Sequence, residues 1–266
     1  MTDQKIVRSS TGTREWAKYT VNCCTGCAND CRYCYAKGMA VRFKQLTMDE
    51  WQLERVRQKD VDKKQKLYDG RVMFPSSHDI TPGNFDACMI VIEKLLLAGN
   101  ELLIVSKPHL ACIRAICYSF KAYRDKIIFR FTIGACNNEI LKIWEPNAPR
   151  YEERKSSLRY AFEAGFETSV SVEPMLCADG VIDLVKDLEP FTTNSIWIGK
   201  MNYIKKNISL DIEEIREAVK IIENGQRNSD ILSIYNELKD NPLIKWKDSI
   251  KKVVGIEAPA ETGLDI

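Results

Sequence analysis

The chain has 266 residues, 45% of them hydrophobic and 29% charged, with a net charge of +2 and a pI near 8.0. That is an ordinary globular composition with room for one sizeable core, and the charge is too mild to argue by itself for nucleic acid. No apolar run is long enough to span a bilayer, and the opening MTDQKIVRSS has no apolar signal core, so the expectation is a cytoplasmic protein with no membrane association.

Short apolar, β-branched runs alternate with helical patterns along the chain. The first predicted strand is Tyr19–Cys23, followed by a helix over Cys34–Lys44 and a charged helix over Thr47–Lys66. Then come strand Val72–Ser76, helix Phe85–Ala98, strand Leu102–Ser106, helix His109–Tyr123, strand Ile127–Ile133 and helix Tyr151–Ala164. Strand Thr168–Val172, helix Gly180–Leu188 and strand Ser195–Ile198 complete the pattern. Strand then helix, about six times over, predicts a mostly parallel α/β sheet with right-handed crossovers. Six units fall short of a closed eight-fold barrel, so the expected fold is an open, partial (βα)6 TIM-like barrel over residues 1–204. Residues 205–266 are expected to pack on it as a C-terminal helical extension. It has helices at Leu210–Glu223 and Asp230–Leu238, a charged segment around Trp246–Lys252, and a loose or draped tail over 255–266.

Ten cysteines are present, and five lie between Cys23 and Cys34. Clustered cysteines in a chain without an export signal point to metal rather than disulfides. Cys27, Cys31 and Cys34 stand in GCANDCRYCYA as C-x3-C-x2-C, with Tyr33 before the third cysteine. Three thiolates so placed suit three irons of a cubane [4Fe–4S] cluster, which four cysteines normally hold, leaving one iron open to a small molecule. Cys24 extends the run to two C-x2-C pairs. Two other readings follow: a structural zinc site, cramped by the short separation of Cys27 and Cys31, and a closed four-cysteine cluster, whose runs use other spacings and a trailing proline. In parallel α/β folds the chemistry sits at the carboxyl ends of strands, where this loop falls.

The three-cysteine loop resembles that of the radical S-adenosylmethionine (SAM) superfamily. Further segments resemble its spore photoproduct lyase-like, or DNA repair photolyase-like, group over roughly residues 16–200: NCCTGCANDCRYCYA, SSHDITPGNF, LLIVSKP and the block from Thr132 to Leu176. The resemblance implies an enzyme whose open iron binds SAM and whose reduced cluster yields a 5′-deoxyadenosyl radical that abstracts hydrogen from a substrate. It also implies a reductant protein of flavodoxin or ferredoxin type. Cys23 stands where the group usually has proline, and Cys24 where it often has an aromatic. FPSSHD lacks the hydrogen-donor cysteine of true spore photoproduct lyases, which argues against thymine-dimer repair.

The resemblance implies roles for several strand-end residues. Cys27, Cys31 and Cys34 would hold the cluster. Tyr33 would lie against the adenine; Ser76 and Ser77 would hold the SAM amino group; Lys107 would meet its carboxylate; Thr132 would meet the ribose; and Glu173 would hold the ribose or act on substrate. Each has an ordinary reading too, as loop packing, turn, surface lysine, strand propensity or ion pair. Cys136 and Cys177 are candidates for hydrogen donation, set against a role as small buried hydrophobes, and with Cys23 and Cys24 they would suffice for an auxiliary cluster. Cys88, Cys112 and Cys117 read as core. His78 is a further candidate for contact with SAM or substrate, and no hydrolase or nucleotide-triphosphatase motif accompanies it or His109.

The substrate is left as a nucleic acid, nucleotide or peptide. Lys63, Lys64, Lys66, Arg71, Lys205, Lys206, Lys245, Lys247, Lys251 and Lys252 give nucleic acid modest support, although most stand beside acids, as on a solvated mixed surface. The competing reading is a non-enzymatic iron–sulfur electron carrier or redox sensor with Cys24 as fourth ligand.

Overall fold

A computed structural model describes residues 12–204, 208–257, 259 and 261–263. Lys205 and Lys206 lie outside the described residues. The strands are β1 Tyr19–Thr20, β2 Cys24–Thr25, β3 Arg55–Val56, β4 Val72–Phe74, β5 Leu102–Ser106, β6 Ile127–Thr132, β7 Glu167–Val172, β8 Ser195–Ile198 and β9 Ile244–Trp246. The helices are α1 Tyr35–Arg42, α2 Gln58–Asp62, α3 Phe85–Leu97, α4 Leu110–Ser119, α5 Asn138–Trp144, α6 Tyr151–Glu163, α7 Val181–Leu188, α8 Glu213–Gly225, α9 Asn228–Leu238 and α10 Asp248–Val254.

Seven strands form one sheet in the order β1-β4-β5-β6-β7-β8-β9, every pair parallel. Each crossover steps to the next position in the same direction, as in a barrel, and β1 and β9 do not pair with each other. The sheet is therefore open, as the strand–helix alternation predicts. The seventh strand, β9, comes from the segment read from sequence only as charged. Its IKW is too short to stand out, and it is held as a strand by pairing with β8.

Strands β5, β6 and β8 are buried throughout, as expected of parallel strands covered on both faces. Alternation divides their side chains. Leu102, Ile104, Phe129 and Phe131 pack outward in the large core under the helices, whereas Met73, Leu103, Val105, Ile128 and Trp197 gather with Trp16 and Ala17 on the concave side. Arg130 fills the concave side further. Its Nε donates to Ser169 Oγ at 2.9 Å, and its guanidinium sits 4.9 Å from the Trp16 ring and 5.4 Å from Trp197. The interior is thus plugged beneath the carboxyl end and open at that end.

The segment expected as a charged helix over Thr47–Lys66 is instead a strap. A short 3-10 turn at Trp51–Leu53 leads into β3, which pairs antiparallel with β2, and then into α2. Long-range contacts override local helix propensity here. Trp51 is buried against Cys27, Ala36, Ala40 and Leu46, and the Arg57 N–H donates to Cys23 O at 2.7 Å. The first strand is also shorter than expected, because the chain leaves the sheet before Cys23 to make this pairing. Helix α5 was not foreseen, although Asn137 caps it by accepting from the Glu139 and Ile140 N–H groups. In the tail, the Gly263 N–H donates to Arg14 O at 2.7 Å. None of the described helices is long and apolar enough to cross a membrane.

Candidate active site

The cysteine loop is anchored at its start by Gly26. Its φ of +94° is a conformation glycine adopts freely, and an added Cβ would lie 2.5 Å from the Trp51 carbonyl oxygen. The Cys27 N–H donates to that carbonyl at 2.8 Å. Glu54 ties the strap to the loop and to the segment after β4. Oε1 accepts from the Ala28 N–H at 3.0 Å, and Oε2 accepts from Thr81 Oγ1 at 2.6 Å. The far side of the loop rests on the C-terminus of α5, where the Arg32 N–H donates to Trp144 O and Arg32 Nε to Ile143 O.

The loop opens on a cavity of about 530 Å³ at the carboxyl end of the sheet. Cys27, Cys31 and Cys34 all line it, and so do Tyr33, Ser76, Ser77, Lys107, Thr132 and Glu173. The structure thus brings nine of the eleven proposed site residues together. Strand alternation explains part of this convergence: Val105 and Lys107, Thr132, and Ser171 and Glu173 sit at inward positions near the ends of β5, β6 and β7.

Burial raises all three loop thiols, with the Asp79 charge adding to the effect at Cys27. A metal binding there must therefore displace protons. All ten cysteines are free thiols. The compact set of metal-ligating side chains among the described residues is Cys23, Cys24 and His78, and it contains none of the loop thiols. Three thiols facing one cavity without closing on one point fit a multi-iron cluster better than a single zinc ion. Cys24 does not line the cavity.

Asp79 is the main polar contact of the site, and from sequence it read only as part of a polar turn. Its Oδ1 accepts from the Lys107 N–H at 2.8 Å and from Ser106 Oγ at 3.2 Å. Its Oδ2 accepts from Asn29 Nδ2 at 2.8 Å, lies 3.6 Å from Lys107 Nζ and faces Cys27 Sγ at 3.7 Å. Burial alone would raise this carboxyl; the Lys107 charge and N–H and the Asn29 amide outweigh it and hold the group below the usual carboxylate range. Lys107 behaves in mirror image: burial would lower it, and Asp79 chiefly holds it well above the ordinary lysine value. Its ammonium also sits 5.7 Å from the Tyr33 ring.

The Tyr33 hydroxyl donates to Glu145 Oε1, and Glu145 is paired with Arg154 at 2.6 Å, both carboxylate and guanidinium being fully buried. The Tyr33 ring lines the cavity while its hydroxyl is engaged behind it. The Ser76 and Ser77 N–H groups both donate to Asn22 Oδ1, at 2.7 and 2.9 Å. The His78 Nε2 accepts from the Cys23 N–H at 3.2 Å, and Nδ1 donates to Asp79 O at 3.0 Å. Burial pushes the imidazole down to about 4, so it is neutral.

Sequence reasoning missed the C-terminal contribution. Lys247, at the start of α10, is completely buried. Its Nζ contacts Glu15 at 2.9 Å, Glu173 at 3.3 Å and Gly12 O at 2.8 Å, and lies 4.1 Å from the Trp16 ring. Burial raises both Glu15 and Glu173, and Lys247 counteracts it. Gly199 makes the approach possible, since a Cβ there would lie 2.8 Å from Lys247 Cγ and 3.0 Å from Glu173 Cγ. Lys247 and Lys251, grouped from sequence with surface bases, are thus buried, and the expectation of a basic surface fails for both. Lysine–acid alternation in sequence looks the same whether a side chain points inward or outward.

Cys136 and Cys177 are the two candidates that the structure does not bring to the cavity. Cys136 is exposed and Cys177 half-buried. Both follow strand ends, but Cys177 packs against the start of α7, with its Sγ 3.2 Å from where a Gly180 Cβ would stand. Nor do they gather with Cys23 and Cys24, which meet His78 instead.

No protein-family model matches the chain. The uncharacterized protein ORF301 of Acidianus two-tailed virus is 29% identical over 184 residues, covering 64% of this chain and 60% of the viral protein. The uncharacterized protein MJ0683 of Methanocaldococcus jannaschii is 24% identical over 187 residues, covering 66% and 68%. Among solved structures, a spore photoproduct lyase mutant with dinucleoside spore photoproduct matches 91% of this chain and 79% of its own, with a TM-score of 0.56 at 15% identity. SuiB of Streptococcus suis bound to S-adenosylmethionine matches 92% of this chain and 54% of its own, with a TM-score of 0.52 at 10% identity. The open, parallel α/β architecture built above is therefore similar in fold to spore photoproduct lyase and SuiB.

Proposed function

We propose that this protein is a radical SAM enzyme, with Cys27, Cys31 and Cys34 holding a [4Fe–4S] cluster that has one open iron. The observation that carries this reading is the convergence of those three thiols with Lys107, Thr132 and Glu173 on one cavity at the carboxyl end of the sheet. When bound, the cluster and SAM supply a 5′-deoxyadenosyl radical that abstracts hydrogen from the substrate.

The chain's own residues bind and orient. Lys107 offers a positive point charge for the SAM carboxylate, and Asp79 keeps it charged and in place. The polar turn of Ser76 and Ser77, fixed by Asn22, presents groups to the amino end. Thr132 and Glu173 would meet the ribose, with Glu173 steadied by Lys247. Tyr33 would close the adenine side, held from behind by Glu145. A cytoplasmic location and a small flavodoxin- or ferredoxin-type reductant complete the proposal.

Arg14, Lys200 and Tyr203 line the same cavity. Cations beside an aromatic suit a nucleotide or a nucleic-acid strand, and the likeness to spore photoproduct lyase with a dinucleoside supports that class. A peptide is the second reading, supported by the likeness to SuiB bound to the precursor peptide SuiA.

The test is spectroscopic. Added SAM should change the electron paramagnetic resonance signal of the reduced, reconstituted cluster, and a Cys24→Ala variant should keep both cluster and response. A SAM-insensitive signal, with cluster loss in Cys24→Ala, would establish the closed four-cysteine carrier instead.

A further inference from the structure

We propose that Cys23, Cys24 and His78 form a second, mononuclear site for a thiophilic transition-metal ion, zinc by ligand class, with Cys88 as the nearest further thiolate. The four side chains come from three separate parts of the chain: the step from β1 into β2, the turn after β4, and the first turn of α3. All four are buried, at 0%, 1%, 6% and 0% exposure. Cys23 Sγ stands 3.9 Å from Cys24 Sγ, 4.0 Å from His78 Nε2 and 3.8 Å from Cys88 Sγ. Ligands about 2.3 Å from a shared ion in trigonal or tetrahedral array stand roughly 3.8–4.0 Å apart. Cys24 and His78 are close to those separations from Cys23, and the three donor atoms all lie within 4.8 Å of one another, near enough for one ion to draw them together.

The imidazole is set for ligation. Its Nδ1–H donates to the Asp79 carbonyl, which fixes the tautomer and leaves Nε2 as the acceptor, 4.0 Å from the Cys23 thiol, as partners of metal-bound histidines do. An ion would displace the 3.2 Å bond from the Cys23 N–H to Nε2 and, where Cys88 joins, the 3.2 Å bond from its thiol to Asn84 Oδ1. Two or three thiolates with one imidazole are a zinc-type donor set. Arg57 binds the adjoining backbone, through its N–H to Cys23 O and Nη2 to Asn22 O, and brings positive charge near the thiolates.

An ion here would pin the segment entering the cysteine loop to the turn that carries Asp79, the residue facing Cys27. The role is positioning, and the site holds whether or not the loop carries a cluster.

The test measures zinc in the full chain and in a Cys27/Cys31/Cys34→Ala triple variant that cannot hold the loop cluster. We expect one tightly held zinc per chain in the triple variant, falling to background when Cys23→Ser or His78→Gln is added. Because those additions could unfold the core, zinc-edge X-ray absorption is recorded on the reconstituted protein with its three loop cysteines intact. It should show sulfur at about 2.3 Å together with one imidazole nitrogen at about 2.0–2.1 Å. Absence of stoichiometric zinc from the triple variant would overturn the site. So would an all-sulfur zinc shell, or zinc retained after both added substitutions.

Discussion

The Lys107 ammonium lies 3.6 Å from the Asp79 carboxylate inside the cavity wall, and the same carboxylate oxygen faces the thiol of Cys27 at 3.7 Å. One buried acid thus spans a cation proposed to meet SAM and a thiol proposed to bind iron. Replacing Asp79 with alanine removes one partner of a nearly dry ion pair, which costs about 3–5 kcal/mol. Urea unfolding at pH 7 should show a loss of that order, and less iron should be retained after reconstitution.

The same pair sets a pH dependence. The folded Asp79 carboxyl is lowered, so its contribution to stability is complete above the unfolded value and is lost as pH falls through the folded one. Lys107 is raised, so its contribution is complete below the ordinary lysine value and is lost only as pH rises through its folded value. The stability gap between wild type and Asp79→Asn should stay level from about pH 5 to 9 and shrink as pH drops below about 4. A gap that grows toward acid would contradict this assignment.

Lys247 pairs with two carboxylates, the buried Glu15 and the half-buried Glu173, from a segment over 70 residues away from the nearer in sequence. Lys247→Met should destabilise by about 3–5 kcal/mol, with part of the loss recovered in a Lys247→Met/Glu15→Gln double variant. Thermal or urea midpoints of the four proteins in that cycle provide the check.

Gly26→Ala places a methyl group 2.5 Å from a backbone oxygen and forces a left-handed alanine. The loop must shift. A stability loss of about 1–3 kcal/mol and reduced iron per chain are expected, read by urea unfolding and iron analysis.

Cys136 and Cys177 lie off the cavity. Their alanine variants should release 5′-deoxyadenosine at the wild-type rate, as followed by chromatography. Loss of release in either variant would return that thiol to the chemistry.

Much of this was legible in the sequence where periodicity is strong. Leu102–Ser106 and Ser195–Ile198 match their predicted bounds because fully buried parallel strands announce themselves as unbroken apolar runs. The position of the cysteine loop followed from the rule that parallel sheets present chemistry at their carboxyl ends, whereas the other cavity residues were named through the family resemblance. What failed depended on distant partners. The strap around Trp51 and Arg55 is extended only because Cys24 and Thr25 pair with it, and β9 is a strand only because β8 lies beside it. The inward course of Lys247 and the placing of Cys136 and Cys177 away from the cavity leave no local signal either. Asp79 was visible as a turn residue, but its role depends on Lys107, 28 positions later.

The central claim is that three thiols and the cavity they line work together. It is tested most directly by reconstituting the protein anaerobically with iron and sulfide, adding dithionite and SAM, and measuring 5′-deoxyadenosine. Release that requires the cluster and vanishes in the Cys27/Cys31/Cys34→Ala triple variant is the predicted result. A protein holding four irons per chain that releases none, with candidate nucleotide and peptide substrates supplied, would contradict it.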